Sequence, residues 1–405
     1  VTGSFDAVSL DAVSFDAAGI LDDLVAVRRR LHTMAETGLH LPETQRALLG
    51  ELEGLGLEIT TGDALTSVTA VLRGGRPGPV VLLRADMDAL PVREATGLPF
   101  ASTTGAMHAC GHDLHMAGLL GAVRLLHARR AELPGAVVFM FQPGEEGFAG
   151  GRVMIEEGVL DAAGERPVAA YAVHVDCVTQ AETFVTRSGP IMASASGLRV
   201  RVVGTGGHAA WPQHAIDPVP IAAEIVLAFQ SFVARRVPAT DPAVVSVTRI
   251  ETDSAAANVL SASVVLEANI RTLSRETFAL VRERLTALAH GIATAHGATA
   301  EVEYIDSYPV TVNDPAETAF VFEVLDELHG AERVVRLPSP SMASEDFAYV
   351  LEAVPGTLLF LGAQPAEVPA AGAPGMHSEN AVFDDSVLGI QAEALAELAW
   401  RRLHA

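Results

Sequence analysis

Met107-His108-Ala109-Cys110-Gly111-His112-Asp113-Leu114-His115 stands between two short apolar runs, Val80 to Ala85 and Ala136 to Gln142, and opens the helical pattern from about Asp113 to Arg130. Short β-branched apolar runs read as strands, and the longer pattern reads as a helix. A strand, a helix and a second strand in that order are the unit of an α/β layer with a largely parallel sheet. The same nine residues carry a thiol, three imidazoles and a carboxylate. These are the ligand types of zinc and similar divalent ions.

Outward from this unit the alternation continues. Ile20 to Leu31 and about Thr44 to Leu55 have helical spacing, and Ser67 to Leu72 reads as a strand. Between about Ser194 and Asp306 the order changes to strand (Leu198 to Val203), helix (Pro218 to Arg236), two strands (Ala243 to Glu251, Ser263 to Thr272), helix (Thr277 to His296) and strand (Thr299 to Ile305). That βαββαβ order is the ferredoxin-like unit and predicts an inserted α+β domain. The α/β pattern resumes with a helix at Glu317 to Leu328, a strand at Thr357 to Leu361 and a helix at Ser386 to Leu403. The expected organisation is an N-terminal extension (1–19), a first catalytic part (20–193), an inserted lid domain (194–306) and a second catalytic part (307–405). The extension holds the imperfect repeat Ser4-Phe5-Asp6-Ala7-Val8, Ser9-Leu10-Asp11-Ala12-Val13, Ser14-Phe15-Asp16-Ala17-Ala18. A period of five is too short for a solenoid, so the extension is expected to be partly mobile.

Composition narrows the chemistry. The 405 residues carry a formal net charge of -23, which argues against a phosphate-backbone partner. No lysine occurs, which removes Schiff-base chemistry and a P-loop of the usual type. No apolar stretch of about 18 residues free of charge is evident, so no membrane partner is expected. No secretory pattern is visible and the two cysteines, Cys110 and Cys177, form no disulfide framework, so a cytoplasmic location with reduced thiols is expected. Cys177 reads as a small buried residue.

Candidate ligands fall at strand ends, where open α/β sheets place their sites. Asp86 and Asp88 follow Val80 to Ala85, Glu145 and Glu146 follow Ala136 to Gln142, His174 closes the apolar run Val168 to Val173, and His377 sits in a turn after a Pro- and Ala-rich loop. Cys110 and His112 belong to the loop entering the helix. Two metal ions need roughly five to seven protein donors and an open position. Cys110, His112, Glu146, His174 and His377 supply them. Consecutive side chains diverge, so Glu145 is left to face water as general base. Asp88 and Asp113 are expected to orient histidines, and His108 and His115 to take supporting or structural roles. This is the chemistry of amide hydrolysis.

Five segments, Arg84-Ala85-Asp86-Met87-Asp88-Ala89-Leu90-Pro91, Met107 to His112, Pro143-Gly144-Glu145-Glu146-Gly147, Gly206-Gly207-His208-Ala209-Ala210 and Ser344-Glu345-Asp346-Phe347, occur here in an order seen elsewhere. The chain resembles the metal-dependent aminoacylase and carboxypeptidase family, in the branch with hippurate hydrolase and the indole-acetyl amino acid hydrolases. The resemblance covers nearly everything after Leu24. It implies a dinuclear-zinc exopeptidase-like catalytic domain with a lid that also makes a homodimer or higher homo-oligomer. It implies two divalent ions per subunit, zinc first, with manganese, cobalt or nickel as alternatives, held by Cys110, His112, Glu146, His174 and His377. Glu145 would be the base and His208 the lid histidine that reaches an active site, commonly the partner subunit's, and steadies the oxyanion. Asn258 and Arg271 would meet a small N-acyl amino acid, Arg271 through its carboxylate. Two segments depart from the family: its usual His-Pro-Glu is replaced within Leu31-His32-Thr33-Met34-Ala35-Glu36-Thr37-Gly38, and a frequent glycine within Leu266-Glu267-Ala268.

Three other readings compete. A small-peptide carboxypeptidase or dipeptidase would use the same residues. A non-catalytic metal-binding scaffold would not need Glu145, which is present. A haloacid-dehalogenase-type phosphatase matches Asp86-Met87-Asp88 alone, and normally adds a lysine that this chain lacks.

Overall fold

A computed structural model describes residues 15–368 and 372–405, with the side chains of residues 306 and 307 excepted. Most of the N-terminal repeat therefore lies outside the described residues. Its last copy does not behave as a mobile extension. Phe15 packs edge-on against Trp400 at 5.6 Å, and the backbone N–H groups of Phe15 and Ala17 donate to Glu397 and Glu393. Phe15 and Ala17 thus belong to the core.

The chain divides into two compact units. The first comprises residues 1–188, 313–337 and 353–405. Its eight-stranded sheet runs Glu58–Thr61, Val68–Arg73, Pro134–Gln142, Arg76–Asp86, Ala169–Gln180, Gly356–Gln364, Phe184–Thr186 and Val334–Arg336. The four central strands are mutually parallel. Antiparallel pairs flank them, which makes the sheet mixed. Central strands buried on both faces need apolar side chains throughout, and Val81, Leu83, Val137, Phe139, Phe141, Tyr171 and Leu359 meet that need. Helices Leu21–Thr33, His112–Ala128 and Val387–His404 pack together over the sheet. Gly121 lets two of them close: a Cβ there would come within 2.5 Å of the Ala392 methyl.

The second unit is larger than the expected 194–306. It spans Gly189–Val312 and adds Pro338–Glu352. The reason lies in short pairings: Gly189–Met192 pairs with Thr311–Asn313, and Met192 bridges Ser341 while Ala193 donates to the Ser341 and Ala343 carbonyls. Its antiparallel sheet runs Ala243–Thr252, Ser263–Thr272, Ala195–Val203, Thr299–Tyr308. With strands numbered within this unit that order is 2-3-1-4, the ferredoxin-like arrangement expected of βαββαβ. Asp217 caps helix Pro218–Arg236 through the Val219 N–H, and Ser274 caps Arg275–Ala295 through Thr277. Ser274 sets the second helix two residues earlier than the apolar spacing suggested. Pro218–Arg236 is long and apolar enough to cross a membrane by length and composition, though Glu224 interrupts its apolar run. It is amphipathic: Ile221, Ile225 and Phe229 join the unit's core, while Val219 and Leu227 stay exposed.

Candidate metal centre

Three neighbouring parallel strands bring the candidates of the first unit to one end of the sheet. Asp86 ends Arg76–Asp86, and Glu145 and Glu146 follow Pro134–Gln142 through Pro143-Gly144. His174 corrects the expectation of a strand end, for it lies inside Ala169–Gln180. That strand leaves Arg76–Asp86 after the Arg84 and Ala172 pair, yet continues alongside Gly356–Gln364. His174 therefore sits two residues past the last pair with that neighbour.

Cys110 lies in the loop before helix His112–Ala128, and His112 is its first residue. Gly111 between them has φ +81, and a Cβ there would fall 2.4 Å from the Val175 side chain. A left-handed residue without a side chain is what lets thiol and imidazole turn toward one point. His377 is also left-handed, at φ 68, an uncommon conformation for a non-glycine. Its N–H donates to the Ala109 carbonyl at 2.9 Å, which ties its turn to the Cys110 loop.

The donor atoms converge in overlapping sets. Those of Cys110, His112 and His174 lie within 4.8 Å of one another, as do those of Cys110, Glu146 and His377, and of His112, Glu145 and Glu146. Cys110 Sγ is 3.6 Å from His174 Nε2, and His377 Nε2 is 3.3 Å from Glu146 Oε1. Tautomers follow from the second ring nitrogens. His112 Nδ1 donates to the Asp88 carbonyl at 2.7 Å, and His174 Nδ1 to the Val175 carbonyl at 2.7 Å. Each leaves Nε2 as a bare lone pair, the form that ligates. Burial lowers both imidazoles below the ordinary histidine range, His174 strongly, so they stay neutral. Burial works against Glu146, but its hydrogen bond to His377 holds its carboxyl below the ordinary range.

Among the described residues, His112 Nε2 is buried without a hydrogen-bond partner. An orphaned ring nitrogen costs about 1–3 kcal/mol unless something satisfies it. A divalent ion does so, and the surrounding thiol, imidazoles and carboxylates are the donor set such an ion takes. The residues present fit two ions: Cys110, His112 and His174 would hold one, and Cys110, Glu146 and His377 would hold the other.

Asp88 acts in two ways. Its carbonyl orients His112, and its carboxylate accepts the N–H groups of Glu145 at 2.8 Å and Glu146 at 3.0 Å. Burial pushes its carboxyl well up, against these two donors. Asp113 holds a different histidine from those proposed as ligands: its Oδ2 meets His32 Nδ1 at 2.8 Å and Arg28 Nε at 2.7 Å. Sequence reading missed Arg28 and His32. Their signal was the four-residue spacing that puts both on the buried face of Leu21–Thr33.

The second unit collects the remaining candidates. Gly207–His208 pairs with Val259–Leu260, and Ala209 donates to the Asn258 carbonyl, so His208 and Asn258 are close neighbours on an exposed ribbon. The His208 ring tilts against Trp211 at 4.8 Å. Arg271 is half-buried, donating to Asn269 Oδ1 at 3.0 Å and Ser344 Oγ at 2.7 Å. Cys177 is buried, and burial raises its thiol to about 11, as befits a packing residue.

Comparison with known proteins identifies the family. Residues 82–401 match the model of the peptidase family M20/M25/M40. An N-acetylcysteine deacetylase of Bacillus subtilis (strain 168) is 36% identical, over 93% of this chain and 96% of the relative. The IAA-amino acid hydrolase ILR1-like 4 of Arabidopsis thaliana is 35% identical, over 94% of this chain and 86% of the relative. Among solved structures, a Bacillus subtilis dinuclear metal-binding peptidase of the M20 family superposes with a TM-score of 0.82 at 33% identity, covering 95% of this chain and 99% of that one.

Proposed function

The chain belongs to the peptidase family M20/M25/M40 and is a metal-dependent amidohydrolase; on that premise we propose that it cleaves the acyl-nitrogen bond of small N-acyl amino acids. One observation carries this reading: Glu145 lies beside the converging donor atoms of Cys110, His112, His174, Glu146 and His377, an arrangement that supports a base next to a metal site. The similarity to a deacetylase and to a conjugate hydrolase supports the substrate class.

Bound divalent ions supply Lewis acidity, which acidifies water and polarises an amide carbonyl. Cys110, His112, His174, Glu146 and His377 are the residues we assign to hold them. Zinc suits the thiolate and imidazoles, and manganese, cobalt or nickel suit the carboxylate side. Glu145, fixed by its backbone bond to Asp88, takes the proton from water and delivers it to the leaving nitrogen. His208 is assigned to the oxyanion, Asn258 to the substrate amide region and Arg271 to the free carboxylate.

Assembly as a homodimer through the second unit is part of the same proposal. Val219 and Leu227 on Pro218–Arg236 and Val244 and Ile250 on the edge strand Ala243–Thr252 are exposed apolar side chains available to such an interface. We also place the protein in the cytoplasm, where the thiols of Cys110 and Cys177 would stay reduced.

The test is a panel of N-acetyl, N-benzoyl and long-chain acyl amino acids, offered to metal-stripped and reconstituted protein. Hydrolysis that appears only after a divalent ion is restored is the expected result. No cleavage of any amide with any divalent ion would overturn the reading in favour of a binding scaffold.

A further inference from the structure

Asp86, His112 and His115 also bring donor atoms within 4.8 Å of one another, a grouping whose composition alone would suit an ion. The hydrogen bonds of His115 give it another task. Its Nε2 accepts the Val175 backbone N–H at 2.8 Å, and its Nδ1 faces Asp86 Oδ1 at 2.5 Å. A ring nitrogen that accepts an N–H carries no proton, so the proton sits on Nδ1 and is donated to Asp86. Both nitrogens are then committed. Asp86 Oδ2 in turn accepts from Arg84 at 2.6 Å, and Arg84 Nε donates to Gln142 at 2.9 Å. All four side chains are buried.

This line of bonds links every segment that carries a ligand of the His112 side. It starts at Gln142, three residues before Glu145, crosses the end of Arg76–Asp86, enters helix His112–Ala128 one turn below His112, and ends on the residue after His174. The His115 ring lies 4.6 Å from that of His174, edge-on, and stacks on His112 at 5.2 Å. We propose that His115, oriented by Arg84 and Asp86, is a positioning residue that sets His174 and His112 for metal and is not itself a ligand. The inference rests on the dinuclear reading above and deepens it.

The discriminating variants are His115→Leu and His115→Gln in the full chain. The glutamine amide donates and accepts as the ring does, whereas leucine fills the space without either bond. The readouts are zinc stoichiometry, zinc affinity by chelator competition, and the absorption spectrum of the cobalt-substituted protein. Loss of an outer partner of a ligand weakens metal binding by about 10–100-fold. His115→Leu should show that loss at one site with two equivalents still bound at saturation and an altered cobalt spectrum, and His115→Gln should recover most of the affinity. Should His115→Leu not fold, Asp86→Asn tests the same relay and should weaken zinc about tenfold. Unchanged zinc affinity in these variants overturns the inference, and so does His115→Gln losing one equivalent at saturation, which would make His115 a ligand. A wild-type protein that binds no divalent ion overturns the dinuclear reading together with this inference. Two ions in the wild type with an unaffected His115→Leu overturns this inference alone.

Discussion

The two units hold their candidate residues in contrasting ways. In the first, Cys110, His112 and His174 are 7%, 1% and 7% exposed, and the second nitrogen of each imidazole is fixed by a carbonyl. In the second, His208 and Asn258 are exposed on a ribbon of two-residue strands, where His208 Nδ1 accepts from the nearby Ala210 N–H. Donors that must hold a cation are organised in advance, because an unpaired lone pair in a dry interior is costly and a misplaced one cannot ligate. Groups that meet a developing charge or a substrate carboxylate need only be presented. The contrast predicts that damage in the first unit is read in chemistry or metal content, and damage in the second in catalysis with metal content untouched.

The sharpest way to break that contrast is Glu145→Ala. Glu145 is buried beside the donors but is assigned to protons, not to metal. Hydrolysis should fall by about 10³-fold while metal analysis still finds two ions per chain. A loss of metal would make Glu145 a ligand; an unchanged rate would end the mechanism.

His208→Ala probes the other side. Removing one oxyanion donor costs about 10²–10³-fold in kcat, and KM should change little. Metal content and thermal stability should match the wild type, since the His208 side chain is exposed. Arg271→Lys should have a smaller effect, roughly a tenfold rise in KM for substrates with a free carboxylate. The corresponding amino acid amides, which lack that charge, should be hydrolysed with the same KM by both proteins. An equal rise for both substrates would assign Arg271 to the packing of Asn269 and Ser344.

The sequence carried most of the first unit's site because its residues are of rare types at strand ends, next to Pro143-Gly144 or Gly111 punctuation. The ferredoxin-like order was legible for a different reason, long elements with clear period. What it did not carry are pairings made by very short strands. Gly189–Met192 and Thr311–Asn313 are too brief for a pattern and over 100 residues apart, so the unit boundary was misplaced. The apolar run stops at His174, which reads as a strand end, whereas the strand continues as the mixed run Val175 to Gln180 alongside Gly356–Gln364. Arg28 and His32 look like a solvated helix face in sequence. They are buried because Asp113, Glu94 and Asp385 converge on them, and no local pattern reports partners so far along the chain.

The smallest predicted effect tests whether the first unit is as dry as the contrast requires. His108 is 1% exposed, and among the described residues neither ring nitrogen has a hydrogen-bond partner. Burial lowers its pKa from 6.5 to about 3. Between those values the unfolded chain binds a proton that the folded chain refuses, so stability is full above pH 6.5 and is lost as pH falls below it. At pH 5.5 the loss from this one group is about 1.4 kcal/mol relative to pH 7.5. His108→Gln removes the titration. The comparison is made in chelator, so that metal release does not enter, by denaturant unfolding of both proteins at the two pH values. The other buried histidines are common to both proteins and cancel in the difference. The variant should lose less stability on acidification than the wild type by about that amount. Equal losses would mean that His108 is hydrated, and the interior behind Cys110 wetter than the first unit's arrangement of donors implies.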